Sequence, residues 1–376
     1  MIVEAFLRWA ETAKAGDRAK AANALGRAYL RSRMAPEERS AAEMAMTFLL
    51  DDPSPRVRLA LAEAISDSAG IPRSIVLPLA EDQPEIACHV IALSPLLTDA
   101  DLVDLAARGS SATRVAIAAR RTVSYSVAAA LAEIGDEDEV LCLLENKGAS
   151  ISRLALKRIA ERLGDLGLVR CRLLERNGLP SEARHLLMQH VSNALGSLGL
   201  AQAAIGAARL ERVTREANEA GTVAIAGGVF HEEIPALVEH LRTSGRLTPS
   251  FLMHALCSGK VDFFAGAIVN LSGCEERRVR SIMASGRMHA VRALFESAGL
   301  PREISVVFVE ATLLWRETSK KATGTLRENV ATRLLGKFRG KGERSGVVAE
   351  LLDMVEKLSI AERRQQARAY ASLAAA

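Results

Sequence analysis

An all-α fold, a stack of helical hairpins forming an α-solenoid with a C-terminal helical extension, is what this 376-residue sequence predicts, on three observations. Val57, Ile86 and Val115 each head a short apolar stripe and follow one another at intervals of 29 residues. Each stripe continues at helical spacing through Ala60, Leu61 and Ala64, through Val90 and Leu93, and through Ala118 and Ala119; such steps mark one buried helix face. A helix returning at a fixed short period is the pattern of units that each borrow a core from their neighbours. Composition agrees, because 49% of residues are hydrophobic but only 4% aromatic. The interior must then be built from Ala, Leu, Val and Ile, which let helices pack closely. No convincing strand-like alternation interrupts the pattern.

Taken in order, the elements follow from local chemistry. Met1-Ile2-Val3-Glu4-Ala5-Phe6-Leu7-Arg8-Trp9 places charges inside what would be a signal-peptide apolar run, and reads instead as an amphipathic first helix. Leu49-Leu50-Asp51-Asp52-Pro53-Ser54-Pro55-Arg56-Val57-Arg58 closes one helix and opens the next, with Asp or Ser to cap and Pro in the first turn. Glu81-Asp82-Gln83-Pro84-Glu85-Ile86 repeats this arrangement 29 residues later. Thr98 with Asp101 three residues on makes a capping box. Asp136-Glu137-Asp138-Glu139 reads as a solvated helix start, its acids at the positive end of the dipole. A looser unit begins at Leu144 to Ile151, with Leu154, Ala155 and Ile159 continuing its face.

The second half keeps the punctuation and loses the period. Gly70-Ile71-Pro72, Gly178-Leu179-Pro180 and Gly299-Leu300-Pro301 each offer a left-handed C-cap glycine, an apolar residue to cover the last turn and a proline to start the next helix. Leu186 to Ala208 runs 23 residues without Asp, Glu, Lys or Arg. Its Gln189, His190, Ser192, Asn193, Ser197 and Gln202 are costly in hydrocarbon, so it is expected as a buried helical hairpin and not as a membrane span. Residues 1–164 are thus expected as regular repeats, 165–315 as a less regular helical region, and 316–376 as a basic helical extension with a flexible joint at 336–346. Val347, Val348, Leu351, Leu352, Val355 and Leu358 form an amphipathic helix after the joint, and Ser359 is placed to cap a last one.

Asp52, Pro55, Val57 and Arg58, within Asp51 to Ala62, resemble in their order the second helix of a HEAT repeat, although Ala87 and Ala116 stand where Arg58 stands. Ser94-Pro95-Leu96-Leu97-Thr98-Asp99-Ala100-Asp101-Leu102-Val103-Asp104-Leu105, with Gly245-Arg246-Leu247-Thr248-Pro249 downstream, is similar to a bacterial family of HEAT-like proteins, domain of unknown function 2336. The resemblance spans most of residues 45 to 315. It implies a helical-repeat fold and supplies no catalytic residues.

The chemistry that is missing narrows the function. Nucleophile-elbow, dinucleotide-binding and P-loop patterns are absent, since Gly336-Lys337 and Gly340-Lys341 lack the following Ser or Thr. Five cysteines without a close pair fit reduced, mostly buried thiols. His185 and His190 lie five apart and diverge on a helix, His231-Glu232-Glu233 lacks the second histidine of a zinc helix, and His254 with Cys257 reads as a packed core pair. No catalytic, cofactor-binding or metal-binding residue is assigned.

Two groups of cations remain as candidate partner-binding residues. Arg114, Arg120 and Arg121 flank one repeat helix on its less apolar side. Lys320, Lys321, Arg327, Arg333, Lys337, Arg339 and Lys341 belong to the segment 320–344, whose local charge of +6 exceeds the +4 of the whole chain. The sequence therefore points to a cytoplasmic, non-enzymatic scaffold that binds another protein in a solenoid groove. Nucleic-acid binding through 320–344 is the alternative, and Trp9 and Trp315, at opposite ends of the chain, count against an aromatic-lined groove for it.

Overall fold

The computed structural model describes residues 2–320, 330–338 and 346–374, and among them are 23 α-helices and no strand. Two compact units divide the chain, Met1–Ala183 and Arg184–Ala376. The first holds α1 (Ile2–Thr12), α2 (Ala15–Arg31), α3 (Pro36–Leu50), α4 (Pro55–Ile65), α5 (Arg73–Ala80) and α6 (Pro84–Leu93). It continues with α7 (Asp99–Arg108), α8 (Ser111–Ala118), α9 (Tyr125–Ile134), α10 (Glu137–Glu145), α11 (Arg153–Leu163) and α12 (Gly167–Glu175).

Turn chemistry sets the helix starts. Pro36, Pro55 and Pro84 sit at first helical positions, where the missing N–H has no intrahelical partner to lose. Thr98, Ser110, Ser124 and Ser152 each accept from the N–H three residues on. The expected box at Thr98 closes in both directions, Thr98 N–H donating to Asp101 Oδ2 at 2.8 Å and Asp101 N–H to Thr98 Oγ1 at 3.3 Å.

Packing joins alternate helices, without a break along one row and in two groups along the other. In one row α2, α4, α6, α8, α10 and α12 succeed one another; in the other α1 meets α3, α3 meets α5, and α7, α9 and α11 follow in contact. Val57, Leu61, Ile86 and Val90 are fully buried between members of the first row. Gly26 of α2 is needed for the tightest of these approaches, since a Cβ there would stand 2.8 Å from Ile65 Cγ2 and 2.9 Å from Ala64 Cβ of α4. The third stripe is out of phase with its expected face: α8 buries Thr113, Ile117 and Ala118, while Val115 is half-buried and Ala119 exposed. Leu93 is exposed as well, because α6 ends on it and Ser94 turns the chain away.

Two side-chain ladders tie the first row together. Arg18, Arg58 and Arg114, each the fourth residue of its helix, donate to a carbonyl of the preceding loop and to an acid at the head of the next helix in the row. The acids are Asp52 at 2.7 Å, Asp82 at 2.6 Å and Glu139 at 3.2 Å. Glu139 is buried, so the acidic start of α10 is not wholly solvated as expected; the Arg114 guanidinium is the reason an acid can stand there. At the other helix ends, Arg120 donates to the Ile91 and Ser94 carbonyls at the close of α6, Asn146 to those of Ala118 and Arg120 at the close of α8, and Arg176 to those of Leu143, Leu144 and Asn146 at the close of α10. The last carbonyls of a helix lack intrahelical donors and carry the negative end of its dipole, so a cation or amide from the next unit satisfies them.

In the second unit α13 (Ser181–Ser197), whose first residues belong to the unit before, leads to α14 (Gly199–Ile205), α15 (Ala207–Gly227), a single 3-10 turn at His231–Glu233, and α16 (Ile234–Thr243). Then come α17 (Pro249–Cys257), α18 (Val261–Ser272), α19 (Glu276–Ser285), α20 (Met288–Ser297), α21 (Arg302–Lys320), α22 (Val330–Phe338) and α23 (Gly346–Ala374). Helix α17 is central, packed on α15, α18, α21 and α23. Phe264 stacks on Phe308 with centroids 5.9 Å apart, and Phe295 meets both edge-on. Val330, Ala331, Leu334 and Phe338 of α22 and Leu351, Leu352 and Val355 of α23 complete this core.

Four expectations change here. Residues 191–209 are exposed except for Ser192, Gly196 and Ala201, so the uncharged stretch is no buried hairpin. Gly178 and Gly299 adopt the left-handed conformation, at φ +79° and +84°, but Gly70 does not. Helix α23 passes unbroken through Ser359, which is buried with its hydroxyl 2.8 Å from that of Thr332 and caps nothing. Of the expected joint, Gly336, Lys337 and Phe338 finish α22 and Gly346 opens α23, while 339–345 lie outside the described residues.

Candidate protein-binding surface

Depressions open to solvent along both rows of the first unit. Between α2 and α4 the lining is mixed: Arg27, Arg31, Glu63 and Asp67 surround one shallow depression, and Ala19, Ala24, Leu59 and Ala60 help to line another. Between α9 and α11 it is apolar: Ala129, Leu154 and Ala155 line a groove of about 360 Å³ whose rim carries Glu133, Lys157, Arg158 and Glu161. Leu154 is 77% exposed, and Tyr125, one turn before Ala129, is 63% exposed. The α11 sequence explains the exposure. Ala155, Leu156, Ile159 and Ala160 already fill the helix face that meets α9 and α12, and Leu154 falls roughly 100° away from Ala155. The expectation that Leu154 shares the buried face is therefore corrected.

Charge fixes the rim. Arg158 reaches Glu133 through Nε at 2.6 Å and through a second nitrogen at 2.9 Å, a bidentate contact that links α11 to α9. Its hydrogen bonds to Glu133 raise the guanidinium above its usual range and hold the Glu133 carboxyl below its own. A groove with an apolar floor and a fixed pair of opposite charges at its edge suits a peptide or helix that buries an aliphatic side chain and pairs at its ends.

The sequence-derived cations stand elsewhere. Arg114 and Arg120 are half-buried and occupied within the ladders, and burial lowers the Arg120 guanidinium below its usual range. Arg121 is exposed between α8 and α9. Arg333 pairs with Glu317 at 2.6 Å and Lys337 with Glu310 at 2.7 Å, so both hold α22 on α21. Lys321, Arg327, Arg339, Lys341 and the side chain of Lys320 lie outside the described residues. These cations form no common site among the described residues. The groove residues Leu154, Tyr125, Glu133 and Arg158 escaped the sequence reading, although the phase of Leu154 against Ala155, Leu156 and Ile159 was a usable signal.

Other candidate chemistry is sparse. Only Cys257 is fully buried; Cys171 is exposed and Cys88, Cys142 and Cys274 are half-buried, unlike the mostly buried set expected. His185 pairs with His240, Nδ1 to Nε2 at 3.0 Å, and not with His190. Among the described residues no cluster of three or more His, Cys, Asp or Glu side chains could hold a metal ion, and no helix is long and apolar enough to cross a membrane.

No curated protein and no solved structure matches the chain. Residues 86–346, which include α7 to α22 and so both groove helices, match a family described as an uncharacterised protein conserved in bacteria. On that match the chain belongs to the bacterial family of domain of unknown function 2336.

Proposed function

We propose that the chain is a non-enzymatic scaffold: a HEAT-like α-solenoid that works in the bacterial cytoplasm and binds a protein partner in the groove between α9 and α11. The observation that carries the reading is Leu154, an aliphatic side chain 77% exposed on the lip of an apolar groove. Stacking of alternate helices supports the solenoid, and five unpaired cysteines fit a reducing compartment. Nucleic-acid binding is the weaker reading, because Arg333 and Lys337 are engaged by Glu317 and Glu310.

Affinity purification from the native bacterium tests it, comparing the wild-type chain with Leu154→Glu by quantitative mass spectrometry. A protein retained by the wild type and depleted by about tenfold or more in the variant, about 1.4 kcal/mol, supports the groove. Helicity and melting temperature should be unchanged, since Leu154 is outside the core. Equal recovery from both chains contradicts the proposal. So does a low-salt gel shift of duplex or single-stranded nucleic acid that is indifferent to Leu154→Glu, which would move the function to the basic segment.

A further inference from the structure

The charge-free stretch from Leu186 to Ala208 is set in solvent by α13, α14 and the start of α15. Val191, Leu195, Leu198, Leu200, Ile205 and Val213 are between 37% and 83% exposed. The two long helices do pair. Ser192 Oγ donates to Asn218 Oδ1 at 2.5 Å, and Gly221 clears space for Met188, whose Sδ would stand 2.3 Å from a Cβ there. That contact uses one side of each helix.

On α15 a second side remains. Val213, Ala217, Ala220 and Ala224 are all exposed at steps of four, three and four, the spacing of a coiled-coil seam. Glu211, Arg212, Arg215 and Glu219 lie off that stripe, while Arg209 heads it one turn before Val213 and Glu216 borders it. Small residues along a seam let a second helix approach closely. We infer that this hairpin is the homodimer interface of the protein: the exposed face of α13, α14 and α15 in one copy docks on the same face of a second copy.

The face itself selects the occupant. Over residues 186–208 it carries neither sign of charge, so it offers nothing to an acidic or a basic partner. A twofold pair needs only the same neutral stripe presented twice, which is the self-complementarity of an isologous interface. The six aliphatic side chains expose on the order of 500 Å², at the upper end for a monomer surface. With the neighbouring alanines and glycines this approaches the roughly 800 Å² per partner of a stable complex. The surface is distinct from the α9–α11 groove, so the inference does not depend on the proposed function.

Light scattering on the full chain after size exclusion is the test, over about 1 to 100 µM because association follows mass action. The wild type should run at twice its 40.3 kDa chain mass and dissociate on dilution. The double substitution Val213→Glu with Ala217→Glu, both on exposed positions, should run at the single-chain mass with unchanged helicity. Leu154→Glu should remain dimeric. Should the double variant lose helicity, hydrogen exchange of the wild type decides: amides of 207–227 should slow as concentration rises. A wild type of single-chain mass throughout overturns the inference, as does a dimer that survives the double substitution, or exchange indifferent to concentration. A monomer that floats with phospholipid vesicles overturns it in favour of a lipid surface.

Discussion

His185 is almost fully buried, its ring edge-on to His240 with centroids 5.1 Å apart. Burial first, then positive charge at His240 and Arg246, lowers it from its usual 6.5 to about 4. The unfolded chain therefore takes up a proton near pH 6.5 that the fold refuses until about pH 4, so stability is level above that window and falls as pH drops through it. His254, lowered by burial to about 4, acts in the same sense. Urea denaturation should show a loss of roughly 1–3 kcal/mol per histidine between about pH 7 and pH 4.5, reduced in His185→Gln; a flat profile would refute a neutral His185 in the fold. Asp52 acts in the same direction at lower pH. Burial pushes its carboxyl up, but the Arg18 bond, the Ser54 N–H and the charges of Arg18 and Arg58 outweigh burial and hold it below 3.8, so its contribution is present above about pH 4 and lost below. Neither behaviour was legible in the sequence, because His185 and His240 are 55 positions apart and Arg18 and Asp52 are 34 apart. Only the fold brings them together.

Helix starts were the most legible elements, since Thr98 with Asp101, Pro55 and Pro84 act through residues one to three positions away. Helix faces were less so. Val57 and Ile86 fall on the buried face, whereas Val115 does not, because α8 starts on Ser110 and Ser111 without a proline and turns Thr113 and Ile117 inward. Leu61→Ala, in the packed α4–α6 contact, should cost about 2–5 kcal/mol in chemical denaturation, and a loss below about 0.5 kcal/mol would mean that this face does not carry the stack. Asn146→Ala should cost about 1–2 kcal/mol, because the carbonyls of Ala118 and Arg120 at the end of α8 lose their donor. Exchange of α8 amides should rise more than that of α4 amides if the cap is local.

At the scale of the molecule, the even spacing of units in the first half announced stacked helices, and the all-α architecture follows it. The role of the last sixty residues could not be read from charge. Phe338, Leu351, Leu352 and Val355 sit in the core of the second unit, with Arg333 and Lys337 paired beside them, so apolar spacing outweighed basicity over the described part of that segment. The neutral stretch 186–208 misled in the other direction: lack of charge suggested burial within one chain, and the structure exposes it.

The central claim is that the α9–α11 groove of the first unit receives a protein. Photo-crosslinking in the native bacterium tests it most directly, with the reactive side chain placed at Leu154 or, as a control, at Glu63 between α2 and α4. The account predicts one protein captured from position 154 and not from position 63, with capture lost when Tyr125 and Ala129 are both replaced by Glu. Identical products from both positions, or nucleic acid in place of protein at position 154, would contradict it.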